Sequence, residues 1–463
     1  MPRKHLRVGT AEAAPPSAPS CASGTSITET GPVTSTAHRR CIATRIAASL
    51  AAATLATALS AQTPLTLSVA GRIGNDGVSI TASGTFLVAS WGATAPGGMD
   101  VFTAVSRSAG STFSTPVRVN STPFESRVGA EQPAHVVLVP KGTGKDPAIV
   151  VVWTAKSDGA GRLLTARSDD GGATYSETTV VPGTDAPGNR GWESVTVDPS
   201  GKVYVMWLDH RGLVAATHQN MAGSRGGPAA PKPDPVEQAG KSALFISSLD
   251  GSTPPTRVTK SVCYCCKTSL VATPNGDVYG VWRHVYPGDL RDMALTVSRN
   301  RGRTFSAPIR VSEDHWEFDG CPDNGPTLVV DAARRVHVAW PSPADPADKT
   351  SSMALWYAVS FDGRTFVPRV RIPTDAPAGH VQMLAESNGS VLVAWDEMVG
   401  ATRAVKLARG LPSVEGRVRF TPLPSPGAGK YPSLAMTPTG AVIAWTQPRI
   451  GVNVIAVSSI SAR

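Results

Sequence analysis

Charge is scarce in this chain: 17% of its 463 residues are Asp, Glu, Lys or Arg. Nowhere do Lys and Arg cluster with interleaved aromatics, the surface a polyanion partner requires, so no nucleic-acid partner is expected. Long hydrophobic runs are missing beyond residue 61, and no membrane span is expected in the mature chain. Amphipathic periodicity longer than about two helical turns is also missing, which rules against a helical bundle. What the chain has instead is 44 Gly, 39 Pro and 41% hydrophobic residues, enough for a sizeable core cut by many turns.

The one weakly apolar run lies near the start. Arg39, Arg40 and Arg45 precede an Ala/Leu stretch from Ile46 to Leu59 that ends in small residues at Ala61. This three-part layout is that of a secretory signal peptide. Residues 1–61 are therefore expected to be a leader that is removed, leaving residues 62–463 as a single exported domain, periplasmic or extracellular. Residues 1–37 are Pro/Ser/Thr-rich, and a start codon assigned too early would account for them. The leader holds six basic and two acidic residues, so the formal charge falls from +9 to +5 on its removal.

One pattern recurs along the remainder: a short strand, a turn with Gly, Asn or Pro, and an apolar run closing on Trp. SVTVDPSGKVYVMW ends at Trp207, SLVATPNGDVYGVW at Trp282, TLVVDAARRVHVAW at Trp340, MLAESNGSVLVAW at Trp395 and SLAMTPTGAVIAW at Trp445. Looser copies end at Trp91 and Trp153, so seven of the ten tryptophans share one register at spacings of 50 to 75 residues. Four short strands per unit, repeated, describe an all-β fold: a β-propeller of four-stranded antiparallel blades, seven by this count. The last unit has only three strands, and Leu65 to Ala70 is expected to supply its fourth and close the ring. The Gly/Pro-rich insertion at 223–241 reads as a surface loop.

A second motif follows the third strand of several units. SDDGGATY (Ser168, Asp170, Gly172, Tyr175) sets the pattern; SRNRGRTF (Ser298, Asn300, Gly302, Phe305) keeps it with Asn for Asp, SRSAGSTF has Ser108 there, and SFDGRTF, with Asp362, is one residue shorter. The short acceptor is expected to take nearby backbone N–H groups, Gly to adopt positive φ, and the aromatic to pack on the blade. With the Trp register, these residues resemble the Asp-box, or bacterial neuraminidase, repeats of the sialidase-like propellers. Sialidases proper have six blades, the alternative to the seven counted here.

The resemblance implies carbohydrate binding in a central pocket, with hydrolysis of a terminal glycosidic bond of the exo-sialidase type. The alternative is a non-catalytic extracytoplasmic binding or scaffold propeller. In such a ring the site lies on the face formed by loops entering each first strand and leaving each second one. That face holds Asp76, Glu131, Trp192, Glu193, the stretch 263–267, the stretch 319–324, His380, Lys430 and Tyr431 at entries. It holds Asp209, His210, Arg211, Arg283, His284, Arg291, Asp292, Asp396 and Glu397 after the tryptophans. Carried over from the sialidases, Tyr431 would be the nucleophile, Glu193 its base and Asp209 the acid, with Arg211, Arg283 and Arg291 gripping a sugar carboxylate. The family's Arg-Ile-Pro motif is altered here: GRIGND has Gly74 in place of Pro, while Arg371–Pro373 sits late in a blade.

Four cysteines remain after the leader: Cys263, Cys265 and Cys266 in VCYCCKT, and Cys321. Both stretches open adjacent blades on the same face. They are read as two disulfides, as one disulfide with free thiols, or as a thiolate site for Cu(I) or Zn with His284 or His315 as a further ligand. No cofactor is otherwise required, and a monomer with a carbohydrate or glycoconjugate partner is expected.

Overall fold

Strands of alternating apolar residues, broken by tight turns, pair with their neighbours in sequence to give seven four-stranded antiparallel sheets. The structure is a computed structural model and describes residues 63–129, 131–157, 160–213, 234–318, 320, 322–413 and 417–461. The leader, Asp319 and Cys321 thus lie outside the described residues. Blades 1 to 6 span 74–118, 135–180, 190–260, 269–310, 327–372 and 378–428. Blade 7 uses the strands of 430–461, and Leu65–Leu67 pairs antiparallel with Val452–Ser461 as its outermost strand. The first strand of every blade touches the first strand of the next, so the ring is closed and has seven blades.

The repeat tryptophan sits on the second strand of each blade and is at most 2% exposed. Each indole lies in an apolar cluster shared with the preceding blade: Trp153 packs with Phe86 and Val88 of blade 1, and Trp282 with Tyr204 and Met206 of blade 3. Six of the seven indole N–H groups find an acceptor, as Trp340 does on Asp314 Oδ2 at 2.7 Å. The repeat is therefore one wedge-filling indole per blade interface. Truncating a Trp so buried costs about 3–5 kcal/mol in comparable cores.

The Ser168 turn joins the third and fourth strands of blade 2, and its bonding is what the sequence predicts. Asp170 Oδ1 accepts from Ala173 N and Thr174 N at 3.0 Å each, and Gly172 N donates to Ser168 Oγ at 2.9 Å. Asn300 and Asp362 repeat the arrangement in blades 4 and 5. Tyr175 reaches across to Thr103 of blade 1, 2.8 Å away, and Phe305 packs on the blade 3–blade 4 cluster. Because strands alternate in direction, these turns lie on the face opposite the entry loops.

Of the insertion expected at 223–241, residues 223–233 lie outside the described residues, and its end is helical. Pro235–Lys241 is a two-turn helix, capped by Asp234, whose carboxylate takes the Val236 N–H at 2.9 Å. Pro at the first helical position suits that start. Among the described residues, no helix is long and apolar enough to cross a membrane.

Candidate functional site

The inner strands of blades 1, 3, 6 and 7 each break register at one place, between Asp76 and Ser79, Gly191 and Ser194, Gly379 and Gln382, and Lys430 and Ser433. Gly77, Trp192, His380 and Tyr431 occupy these bulges with φ of +66°, +53°, +54° and +56°. A bulge turns a side chain out of the strand's alternation, and a left-handed backbone costs a non-Gly residue on the order of 1–3 kcal/mol. Three large side chains are thus held in strained conformations at equivalent positions around the axis.

Two of them, His380 and Tyr431, line a cavity of about 150 Å³ together with Glu131, His135, Lys267 and Ser194. Their rings stand 4.4 Å apart. His380 Nδ1 lies 2.9 and 3.0 Å from the two oxygens of Asp396, which also accepts the Tyr431 N–H at 2.7 Å and is paired with Arg403. Burial alone would raise the Asp396 carboxyl; the contact and charge of His380, the charge of Arg403 and the Tyr431 N–H together hold it below the usual carboxylate range.

Glu131 Oε2 accepts two backbone N–H groups, from Gly325 at 2.7 Å and Lys267 at 3.2 Å. Lys267 is itself buried and donates Nζ to Val381 O at 2.9 Å; burial pushes its ammonium down while the charge of Glu131 pulls it back up. Asp323, beside it, is raised by burial and by the charge of Glu131, against the opposing charge of His380 and a hydrogen bond from the Trp192 indole. The phenol of Tyr431 is pushed up to about 12 by burial and then by the charges of Asp396, Asp323 and Glu131. Three carboxylates therefore act on one phenol, Glu131 from the cavity wall and Asp396 and Asp323 from outside its lining. His135 is pushed down to about 4, first by burial and then by the charge of Lys267.

Of the other residues expected at the site, Asp209 is fully buried between Arg190 and Arg211, whose Nη2 lies 2.6 Å away. Arg211 also stacks on Phe245. Glu193 is buried, takes the Thr154 hydroxyl at 2.9 Å, and is pushed up to about 7 by burial. Arg283 gives its N–H groups to the carbonyls of Arg291, Asn324 and Pro341 and lies over Trp316. Arg291 pairs with Asp289 and points at Cys263. None of these five lines the cavity among the described residues, whereas Tyr431 does. Arg72, in the altered Arg-Ile-Pro position, is committed to Asp100 at 2.7 Å.

Sequence reasoning missed His135 and Arg403. His135 begins the innermost strand of blade 2, where alternation along the strand could have aimed it at the axis. Nothing in the sequence pairs Arg403 with Asp396 until the strands at 391–399 and 402–412 are set side by side.

Cys263 and Cys266 are free thiols, 1% and 2% exposed, with their sulfurs 3.6 Å apart. The reading with two disulfides is thereby corrected. Cys265 is not one of the free cysteines. The sulfurs of Cys263, Cys265 and Cys266 all lie within 4.8 Å of one another, a spacing that a metal ion could bridge. The Cys263 thiol is drawn down to about 6 by the hydrogen bond from Cys266 and the charges of Arg291 and Arg283, against the effect of burial.

No family model matches the chain, and no curated protein matches it. Among solved structures it is similar to an ulvan lyase, a polysaccharide lyase bound to GlcA(1-4)Rha3S, at 10% identity and a TM-score of 0.53, covering 86% of this chain and 96% of that one. It is also similar to a protein of unknown function from Dyadobacter fermentans (15% identity, TM-score 0.45, 75% of this chain and 97% of that one). The NanB sialidase from Streptococcus pneumoniae is a third (10% identity, TM-score 0.41, 75% and 69%). At such identities the likeness is one of fold.

Proposed function

We propose that this propeller is a carbohydrate-active protein that takes the terminal residue of a glycan into its central cavity and cleaves the glycosidic bond. The observation that carries the reading is the convergence of Tyr431, His380 and Glu131 on one cavity, with Asp396 holding the first two from behind and Asp323 acting by its charge on Tyr431. Glycosidic cleavage needs a proton donor and a second carboxyl, and Asp323, raised by burial and by the charge of Glu131, is suited to the first role. Asp323, the raised one, is assigned the proton donor to the departing oxygen. Glu131, fixed by two backbone N–H groups, is assigned the second carboxyl, on the cavity wall. Tyr431 and His380 form the aromatic and hydrogen-bonding wall, and their positive φ holds them there. The cavity is small by the standard of ligand pockets, which suits a chain end over an internal segment. The fold neighbours include a lyase and a sialidase, so the class of chemistry is in keeping with the fold.

The purified mature protein, incubated with a panel of aryl glycosides that includes a sialoside and with uronate-containing polysaccharides, is expected to release product from at least one. Asp323→Asn should lower that turnover by about 100-fold or more, and Tyr431→Phe, which removes one hydroxyl from the cavity wall, by about tenfold. Binding without turnover in every case would instead establish the scaffold reading, and neither binding nor turnover would remove both.

The leader reading carries export: sequencing of the mature amino terminus should begin at or near Gln62. A single disulfide that includes Cys265 is proposed, and peptide mapping without reduction would reveal it and its partner.

A further inference from the structure

We propose that Cys263 and Cys266 are a redox-active dithiol that a peroxide closes to a disulfide in the folded protein. Residues 264 and 265 form a turn, which brings the two ends of the Cys-x-x-Cys segment together and sets the sulfurs 3.6 Å apart. Closing that contact to a covalent S–S bond of about 2 Å takes a side-chain movement of the order of 1.5 Å.

A pair of buried thiols is ordinarily inert, and here the surroundings decide otherwise. Arg291 and Arg283 are 0% and 1% exposed, and Arg291 Nη1 lies 3.4 Å from Cys263 Sγ. Arg283 donates only to neutral carbonyls and has no carboxylate partner among the described residues. Buried guanidinium groups are costly unless an anion compensates them. Asp289 supplies one negative charge beside Arg291, and a Cys263 thiolate supplies the second. The same two cations disfavour a further cation at that sulfur, which sets the dithiol reading ahead of a metal ion.

Burial also selects the oxidant, since a bulky disulfide cannot reach sulfurs this enclosed whereas a peroxide can. The Cys263 thiolate attacks one peroxide oxygen; the O–O bond breaks, and the departing hydroxide takes a proton to become water, leaving a sulfenic acid on Cys263. The Cys266 thiol then attacks that sulfur; the S–S bond forms, the S–O bond breaks, and the hydroxide leaves with the Cys266 proton as a second water. Two thiols are oxidised, and one peroxide is reduced to two waters. Lys267, the next residue, gives its N–H to Glu131 and its Nζ to Val381 O, which places the pair directly behind the cavity wall.

The test uses the whole protein, purified without oxygen, pulsed with hydrogen peroxide, quenched, unfolded, alkylated and mapped by mass spectrometry. A Cys263–Cys266 link that dithiothreitol reverses is expected. In Cys266→Ser, dimedone added with the denaturant after the peroxide pulse should trap a sulfenic acid on Cys263. Cys266 in Cys263→Ser should oxidise at least about tenfold more slowly than Cys263 does in Cys266→Ser, since it lacks the guanidinium contact. Both wild-type thiols remaining alkylatable under conditions that oxidise a free cysteine peptide would overturn the proposal. So would stoichiometric zinc or copper held by the two sulfurs in the purified protein. The wild-type measurement needs no variant to fold and does not depend on any sugar being cleaved.

Discussion

Tyr431 donates its backbone N–H to Asp396 Oδ2 over 2.7 Å, although 35 residues and a blade boundary separate them. The same carboxylate holds the His380 ring and pairs with Arg403, so one side chain of blade 6 sets two residues of the cavity wall. The strained backbone at His380 and Tyr431 is compensated by this shared anion.

Asp396→Asn tests that relationship. Arg403 would lose its partner but is partly exposed, so the expected loss of stability is about 2 kcal/mol, below the figure for a fully buried pair. Because the folded-state value of Asp396 is depressed, its contribution is present above the unfolded carboxyl value of about 4 and fades as pH falls through the still lower folded value. Urea unfolding of both proteins should therefore show the gap at pH 7 and a smaller one near pH 3. An equal gap at both would disprove the charge-based account.

The ring of blades was legible because its cause is periodic. One indole per interface at a fixed place on the second strand leaves a mark at every turn of the repeat, and the Ser168 turn leaves another. The cavity residues were legible only as a crowd. Position after a tryptophan put Asp209 and Arg211 on the same footing as Asp396, yet Asp209 spends its charge on Arg190 and Arg211 while Asp396 faces His380 and Tyr431. What separates them is which side chains strand pairing sets beside each carboxylate, Arg190 on the inner strand of blade 3 against the bulged His380 on that of blade 6, and a one-dimensional pattern holds no record of that. The bulges at Trp192, His380 and Tyr431 were hidden for a related reason: nothing in the identity of a Trp, His or Tyr announces a left-handed backbone.

Glu193 gives a prediction of opposite sign in pH. Its folded-state value is raised to about 7 from an ordinary value near 4.5, so the folded protein binds the extra proton between those two values. Stability should then fall as pH rises through that window and level off above it. Glu193→Gln, uncharged throughout, should match the wild type near pH 4 and exceed it at pH 8 by something on the order of 3 kcal/mol at most. Thermal unfolding at the two pH values measures this directly, and a variant destabilised at pH 8 would show that the buried carboxylate is better compensated than the Thr154 hydroxyl and its own backbone N–H indicate.

The turn on the far face separates two neighbouring glycines. Gly171 and Gly172 both have positive φ, +74° and +90°, so an alanine at either position is strained by roughly 1 kcal/mol. Beyond that they differ. A methyl group at Gly171 would approach the end of the exposed Arg107 side chain at 2.5 Å, which can swing away. At Gly172 it would meet Val105 Cγ2 at 2.7 Å and Ile149 Cδ1 at 3.2 Å, both packed in the blade 1–blade 2 core, where overpacking adds about 1–3 kcal/mol. Gly172→Ala should therefore unfold at clearly lower urea than Gly171→Ala. Since the turn lies on the face away from the cavity, turnover by the protein that remains folded should be the same for both. Equal destabilisation would mean that the turn relaxes away from Val105, and that this motif fixes its own loop but not the neighbouring blade.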